Sequence, residues 1–406
     1  SDLAAVAEWL ARDLSWGQIY SALKQHNMQF DPDDLEAVAV ALAPGLTWQQ
    51  IYTAFSQHGI AFQPSDFEAM APLLARDLAW REVVATLDQH GSQPASPDDL
   101  APIAAWINRN LLNNEAYPVF HQNGFHLLRR HFYLPIPEED DLAYIPHQSG
   151  LVGLDINEEA TFGLLNDVLN PYKAEFNAYP IHHQDDFAPD QFYLINSAFM
   201  AIDGNVYYSL VRHYKPKRVV EIGSGFSTLL AADALRKNAQ ENSEQDGSLI
   251  CIEPYPSALL TALGPRLHQL IDDKVQEVDL EFFASLGAGD ILFIDSSHVL
   301  RSGGDVWYEY CEILPRLASG VLVHIHDISL PKPYPREYFD RRVYWNEQYL
   351  LQAFLTFNPR FEIIWPGNYL MTKYPERIRA AFLPEYDLMR EVYPSSEPSS
   401  FWMRVR

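Results

Sequence analysis

Cysteine is nearly absent from this chain: two residues, Cys251 and Cys311, in 406. A disulfide scaffold needs more cysteines in a shorter chain, so both read as buried thiols in a reducing compartment, which points to a cytoplasmic protein. Basic charge is also scarce. Lys and Arg number 29 against 54 Asp and Glu, a formal charge of −25. That excess argues against a nucleic-acid backbone and an anionic membrane surface as partners, since both need a basic face. No apolar run reaches the length of about 18 residues expected of a membrane-spanning helix. Ser1–Leu10 carries acidic residues and no basic stretch before an apolar run, so it does not read as a secretory signal. What remains is a globular composition, 48% hydrophobic and 20% charged, in a chain long enough for two domains.

The first third repeats itself. Trp16, Trp48 and Trp80 are spaced by 32 residues, and Gln25-His26, Gln57-His58 and Gln89-His90 keep that spacing. Such a period belongs to helical-hairpin arrays. Asp33-Asp34-Leu35 and Ser65-Asp66-Phe67 supply helix-start oxygens, and Thr47-Trp48-Gln49-Gln50 opens the next helix as a capping box. A pair of short helices superficially fits a DNA-binding motif, but residues 1–110 hold 5 Lys/Arg against 14 Asp/Glu. The expectation is an all-α helical-repeat domain over 1–125, with the tryptophans as core staples, serving a protein partner or self-association. A bridge over 126–190 follows, carrying a helix from Asn157 to Tyr172 and the further site candidates Tyr133, His182 and His183.

From about residue 191 strands alternate with helices. Expected strands are Arg218–Ile222, Leu249–Glu253, Val275–Leu280, Ile291–Asp295 and Val321–Asp327. Phe361–Trp365 and Tyr369–Lys373 are expected to close the sheet as a hairpin. Continuous apolar strands between helices mean a parallel α/β sheet covered on both faces, with ligands at the carboxyl ends of the strands. The domain is expected to span 191–375, leaving 376–406 as a C-terminal extension.

Three motifs sit at those ends. The first is Glu221-x-Gly223-Ser224-Gly225, a tight turn into a helix, followed by Glu253 at the end of the next strand. Glycines let the backbone approach a ligand, the helix offers free N–H groups, and a strand-end carboxylate can accept ribose hydroxyls. The second is Asp295-Ser296-Ser297-His298. The third is His324-Ile325-His326-Asp327. Asp295, Asp327 and His326 are expected to converge from adjacent strands as carboxylate and imidazole donors. Such a set suits Mg²⁺, with Mn²⁺ or Fe²⁺ as alternatives. His324 reads as structural. Downstream, Tyr334, Tyr344 and Trp345 form an aromatic–polar stretch of the kind that lines acceptor pockets.

Val219-Val220-Glu221-Ile222-Gly223-Ser224-Gly225 and Cys251-Ile252-Glu253-Pro254 resemble the class I S-adenosylmethionine-dependent methyltransferases. The resemblance implies a Rossmann-like seven-stranded sheet with a reversed last strand. It implies that Glu221, Gly223, Ser224 and Gly225 surround the methionine part of S-adenosyl-L-methionine, with Glu253 on the ribose and Asp295 alongside. The acids after the fourth and fifth strands resemble metal-dependent O-methyltransferases of the macrolide-sugar and cephalosporin-hydroxylase-like group. There Asp295 and Asp327 match metal-binding acids and His298 matches the general base; His326 departs from the acidic or amide ligand usual beside the last Asp. The expected activity is methyl transfer to a hydroxyl of a small molecule, a sugar or natural-product intermediate. Two alternatives stand beside it: a metal-independent N- or C-methyltransferase, and a cofactor-binding protein without catalysis.

Overall fold

The computed structural model describes residues 133–145, 147–184, 188 and 190–406, together with His121 and His126. The chain divides into two compact units, 1–135 and 136–406. The expected helical repeat falls almost wholly on residues outside those described.

The second unit is built on a seven-stranded sheet in the order β3-β2-β1-β4-β5-β7-β6. The strands are β1 (Arg218–Ile222), β2 (Ser248–Ile252), β3 (Gln269–Ile271), β4 (Ile291–Ile294), β5 (Leu322–Ile325), β6 (Phe361–Pro366) and β7 (Phe401–Val405). β1 to β5 pair in parallel, and β7 runs antiparallel to both β5 and β6. Sequence alternation places one set of side chains on each face. Val219, Leu249, Cys251, Phe293, Leu322 and Trp402 enter one core, while Val220, Ile250, Leu292, Val323 and Met403 enter the other. Both faces are therefore apolar, and helices cover both.

Asn157 caps α1 (Glu158–Leu164) by accepting from the Ala160 N–H, and the helical path runs on through residues 165–172 as expected. α2 (Ala201–Tyr214) and α3 (Phe226–Glu241) pack on the first face. α4 (Glu347–Leu355) packs on the second through Leu351 and Leu355. Among the described residues no helix is long and apolar enough to cross a membrane.

Two expected strands are corrected. The third strand is Gln269–Ile271, and Val275–Glu277 is a 3₁₀ turn. β3 is the sheet edge and half-exposed, so it lacks the apolar run that marks a buried strand; Val275 and Val278 instead pack beneath that edge. Tyr369–Lys373 lies in a helix, α5 (Gly367–Lys373), where Tyr369 and Lys373 share a face and both reach Glu158. The strand that completes the sheet is β7, from the segment expected as a C-terminal extension. Another helix, α6 (Glu385–Val392), precedes it.

β7 lies between β5 and β6, so its side chains serve the whole sheet. Trp402 is fully buried, with its ring 4.8 Å from His324 and 5.6 Å from Tyr207. Trp402→Ala is expected to lower the unfolding free energy by about 3–5 kcal/mol, read by urea denaturation.

Candidate functional site

The glycine turn depends on one close approach. Gly223 has φ +81°, and a Cβ there would overlap the Asp295 carbonyl oxygen at the end of β4. The Asp295 N–H donates to the Ile222 carbonyl at 2.9 Å, and the Gly223 N–H donates to the Ile252 carbonyl at 3.0 Å. Gly225 is different: its backbone is extended, and a Cβ there would meet open space. Thr228 Oγ1 accepts from the Gly225 N–H at 3.0 Å and starts α3. Beneath the turn, Glu221 is fully buried and accepts from Tyr207 Oη at 2.8 Å and from Thr228 Oγ1. Burial pushes its carboxyl up to about 7, against those two hydrogen bonds.

A cavity of about 560 Å³ opens above the strand ends, lined by Gly223, Glu253, Val275, Gln276, Asp295 and Ser297 among others. This size suits a small-molecule site. Glu253 stands as expected at the end of β2, with Oε1 accepting the Tyr255 N–H at 2.8 Å and Oε2 accepting Ser224 Oγ at 3.3 Å. Of the residues expected around the cofactor, Gly223, Glu253 and Asp295 line this cavity. Ser224 reaches it through Glu253, Gly225 leaves its space open, and Glu221 props the turn from below. A glycine cradle, a helix start and a strand-end carboxylate together fit S-adenosylmethionine.

Asp295, His298 and Asp327 each offer an atom to a common point: one ligand atom from each lies within 4.8 Å of the others. His298 Nε2 is 3.2 Å from Asp295 Oδ1 and 3.4 Å from Asp327 Oδ2. Asp327 Oδ1 accepts from Ser399 Oγ at 3.2 Å, which fixes that carboxylate. On the far side of the ring, His298 Nδ1 is 2.8 Å from Oε2 of Glu347, which is fully buried. The His298 carbonyl accepts the Asn346 N–H at 3.0 Å and the Glu347 N–H at 3.2 Å, and the Trp345 ring lies 4.3 Å from the imidazole. Both His298 and Asp327 hold left-handed backbone, φ +59° and +53°. Strain of this kind costs about 1–3 kcal/mol per residue and gathers at functional sites.

One expectation changes here. His326 is not part of the three-residue cluster. It is 5% exposed, with Nε2 3.8 Å from Asp327 Oδ1, and Asp295, Asp327 and Asp203 raise its pKa against the effect of burial. The expected general base, His298, is held at both ring nitrogens. Burial opposes its charge, yet hydrogen bonds to Asp295 and Glu347 push it up to about 11. Nε2 thus faces Asp295 and Asp327, and Nδ1 faces Glu347. His324 packs as expected, stacked 4.0 Å from Phe293 with Nε2 2.9 Å from Ser400 Oγ.

A second cavity of about 470 Å³ adjoins Asp327 and is lined also by Asp203, His326, Lys332, Tyr338 and Arg341. The expected acceptor aromatics stand elsewhere. Tyr334 is buried and its hydroxyl accepts the Gln348 N–H at 3.2 Å, while Trp345 covers His298. Neither they nor Tyr344 lines this cavity; Tyr338, stacked on Tyr334 at 6.1 Å, does. His182 and His183 are exposed and line neither cavity, and Tyr133 is an exposed residue of the first unit. Sequence reasoning missed Glu347, Tyr338 and Lys332, although all three lie in or beside the aromatic stretch it singled out.

The sheet order with its antiparallel β7 is that of the class I methyltransferases, and residues 220–328 match the family model of a methyltransferase domain. Residues 220–328 are therefore a methyltransferase domain, and the cavity above them fits S-adenosylmethionine as its cofactor. An uncharacterized protein of Archaeoglobus fulgidus is 35% identical over 165 residues, covering 38% of this chain and 72% of that protein. The chain belongs to the same family as that archaeal protein. Similar solved structures include a candidate protein-L-isoaspartate O-methyltransferase of Plasmodium falciparum in complex with S-adenosyl-L-homocysteine. It shows 13% identity over 44% of this chain and 79% of that one, with a TM-score of 0.24. A candidate methyltransferase of Thermobifida fusca shows 12% identity over 64% and 95%, with a TM-score of 0.31.

The two glycines should separate in substitution. Gly223→Ala is expected to cost at least about 2 kcal/mol of stability, because strain and the backbone overlap add. Gly225→Ala is expected to cost less than about 1 kcal/mol but to weaken S-adenosylhomocysteine binding roughly tenfold, because its methyl enters the cradle. Denaturation and calorimetric titration read the two effects.

Proposed function

We propose that this protein transfers the methyl group of S-adenosylmethionine to a hydroxyl oxygen of a small molecule, a sugar or natural-product intermediate, with a divalent cation held by Asp295, His298 and Asp327. The observation that carries the reading is the position of the cluster. Asp295 lines the cofactor cavity, Asp327 lines the neighbouring one, and His298 Nε2 lies within 3.4 Å of a carboxylate from each. Two carboxylates and an imidazole suit Mg²⁺, Mn²⁺ or Fe²⁺. When bound, such a cation supplies Lewis acidity that lowers the pKa of an acceptor hydroxyl.

The protein's own residues do the rest by placement. The glycine turn and Glu253 hold the donor, and the second cavity holds the acceptor. The oxygen attacks the methyl carbon in line, a C–O bond forms, and the C–S bond breaks with its electron pair left on sulfur. The hydroxyl proton leaves to solvent. Alignment of this kind supplies most of what an already activated sulfonium needs. His298 moves in this reading from proton acceptor to cation ligand.

The N-terminal repeat, in the same proposal, serves a protein partner or self-association.

The test is transfer of labelled methyl from S-adenosylmethionine to a panel of hydroxylated acceptors, with and without chelator. Chelation is expected to abolish turnover and Mg²⁺ or Mn²⁺ to restore it, with Asp295→Asn and Asp327→Asn lowering kcat at least about 100-fold. Full turnover in chelator refutes the cation and favours transfer to nitrogen or carbon. Cofactor binding without turnover on any acceptor favours a non-catalytic binding protein.

A further inference from the structure

The segment Trp345–Glu347 encloses His298 on three sides. Trp345 covers a face of the imidazole at 4.3 Å between centroids. The Asn346 and Glu347 N–H groups both donate to the His298 carbonyl, at 3.0 and 3.2 Å. Glu347 Oε2 meets Nδ1 at 2.8 Å. Asn346 Oδ1 accepts the Leu300 N–H at 2.6 Å, which fixes the chain just past His298 as well. These contacts hold a residue whose backbone is left-handed, a conformation that persists only where its surroundings over-determine it. Glu347 itself is fully buried, at the first position of α4, and the burial of Leu351 and Leu355 anchors that helix to the sheet.

We infer that Glu347 is the positioning residue of the cation site: by accepting the Nδ1 proton it leaves Nε2 as a lone pair aimed between Asp295 and Asp327. This assignment rests on the cation reading proposed above. An imidazole has two nitrogens, and a metal needs the unprotonated one. Which nitrogen keeps its proton is set by the hydrogen bond at the other, and a carboxylate there also makes the ligand more basic. Tautomer, ring plane and basicity are thus fixed by a residue that never touches the cation. Trp345, on this account, is a packing wall for the ring and not a contact of the acceptor.

The experiment is Mn²⁺ binding to the full-length protein without acceptor, by calorimetry and by electron spin-echo spectroscopy, which detects a directly bound imidazole nitrogen. Wild type is expected to bind Mn²⁺ with a nitrogen signal that His298→Ala removes. Glu347→Leu keeps the volume but has no acceptor, and is expected to weaken Mn²⁺ about 10–100-fold and lose the signal. Glu347→Gln still offers a carbonyl to Nδ1–H, and is expected to keep the signal with a loss below about tenfold. S-adenosylhomocysteine affinity and the thermal midpoint of Glu347→Gln should stay near wild type, which separates positioning from a general structural role. Wild type that binds no Mn²⁺ overturns the cation reading and this assignment with it. Wild-type binding with Glu347→Leu equally tight, or bound Mn²⁺ without a nitrogen signal, overturns the role of Glu347 alone. Should Glu347→Leu fail to fold, Glu347→Met, likewise without a carboxylate, takes its place, and an unchanged nitrogen signal and Mn²⁺ affinity there overturn the role by themselves.

Discussion

The carbonyl oxygen of Asp295 occupies the space that a side chain at residue 223 would need. This exclusion, more than any side-chain contact, sets the site. It brings the ends of β1 and β4 together, and the hydrogen bond from Asp295 N–H to Ile222 holds them there. The turn that cradles the cofactor and the first acid of the cluster are therefore neighbours through backbone, on rigid strands. Sites carried by strands keep their geometry better than sites carried by loops. Everything downstream inherits that spacing: His298 follows Asp295 by one short turn, and Asp327 follows β5, which pairs with β4 in register.

The cluster is assembled at a cost. His298 and Asp327 both adopt left-handed backbone, although neither is glycine. Each is held by groups from a distant part of the chain: His298 by residues 345–347, and Asp327 by Ser399 just before β7. Ser399 and Ser400 N–H groups also hold the Asp203 carboxylate in the first turn of α2. The last strand therefore closes the sheet and also ties the fifth-strand acid to the helix opposite. Stability stored in β7 and α4 offsets the strain at the strand ends.

Much of this was legible in the sequence, because the relevant signals are local. Apolar runs marked β1, β2, β4 and β5, and the residues just after them marked Glu253, Asp295, His298 and Asp327 as strand-end groups. The helix read from Asn157 onward is α1 and its continuation. What failed was non-local. β3 is an exposed edge whose residues carry no buried-strand pattern. β7 lies some thirty residues beyond its partner β6, and the intervening Tyr369–Lys373 offered an apparent strand that tertiary packing makes a helix. Within the site, period-two reasoning correctly put His324 and His326 on one side, but it could not say that His298, on a turn, would reach Asp327 first. Glu347 lay in the aromatic–polar stretch, but nothing there marked its contact with a residue 49 positions away along the chain.

Electrostatics gives the last step. Three carboxylates surround one imidazole: Asp295 and Asp327 at Nε2, Glu347 at Nδ1. A neutral ring would leave all three buried or half-buried charges uncompensated, which is why its proton is held so far above the usual histidine range. Even the imidazolium balances one charge of three, and Asp203 adds a fourth acid on the side of His326. A dication at the point shared by Asp295, His298 and Asp327, as proposed above, would replace one proton with two charges and bring the sum closer to neutral. Proton and cation then compete for the same lone pair on Nε2, so the sheet that assembles the acids is stabilised by whichever occupies it. This crowding of acids around one imidazole, rather than any one distance, is the physical ground of the cation proposal.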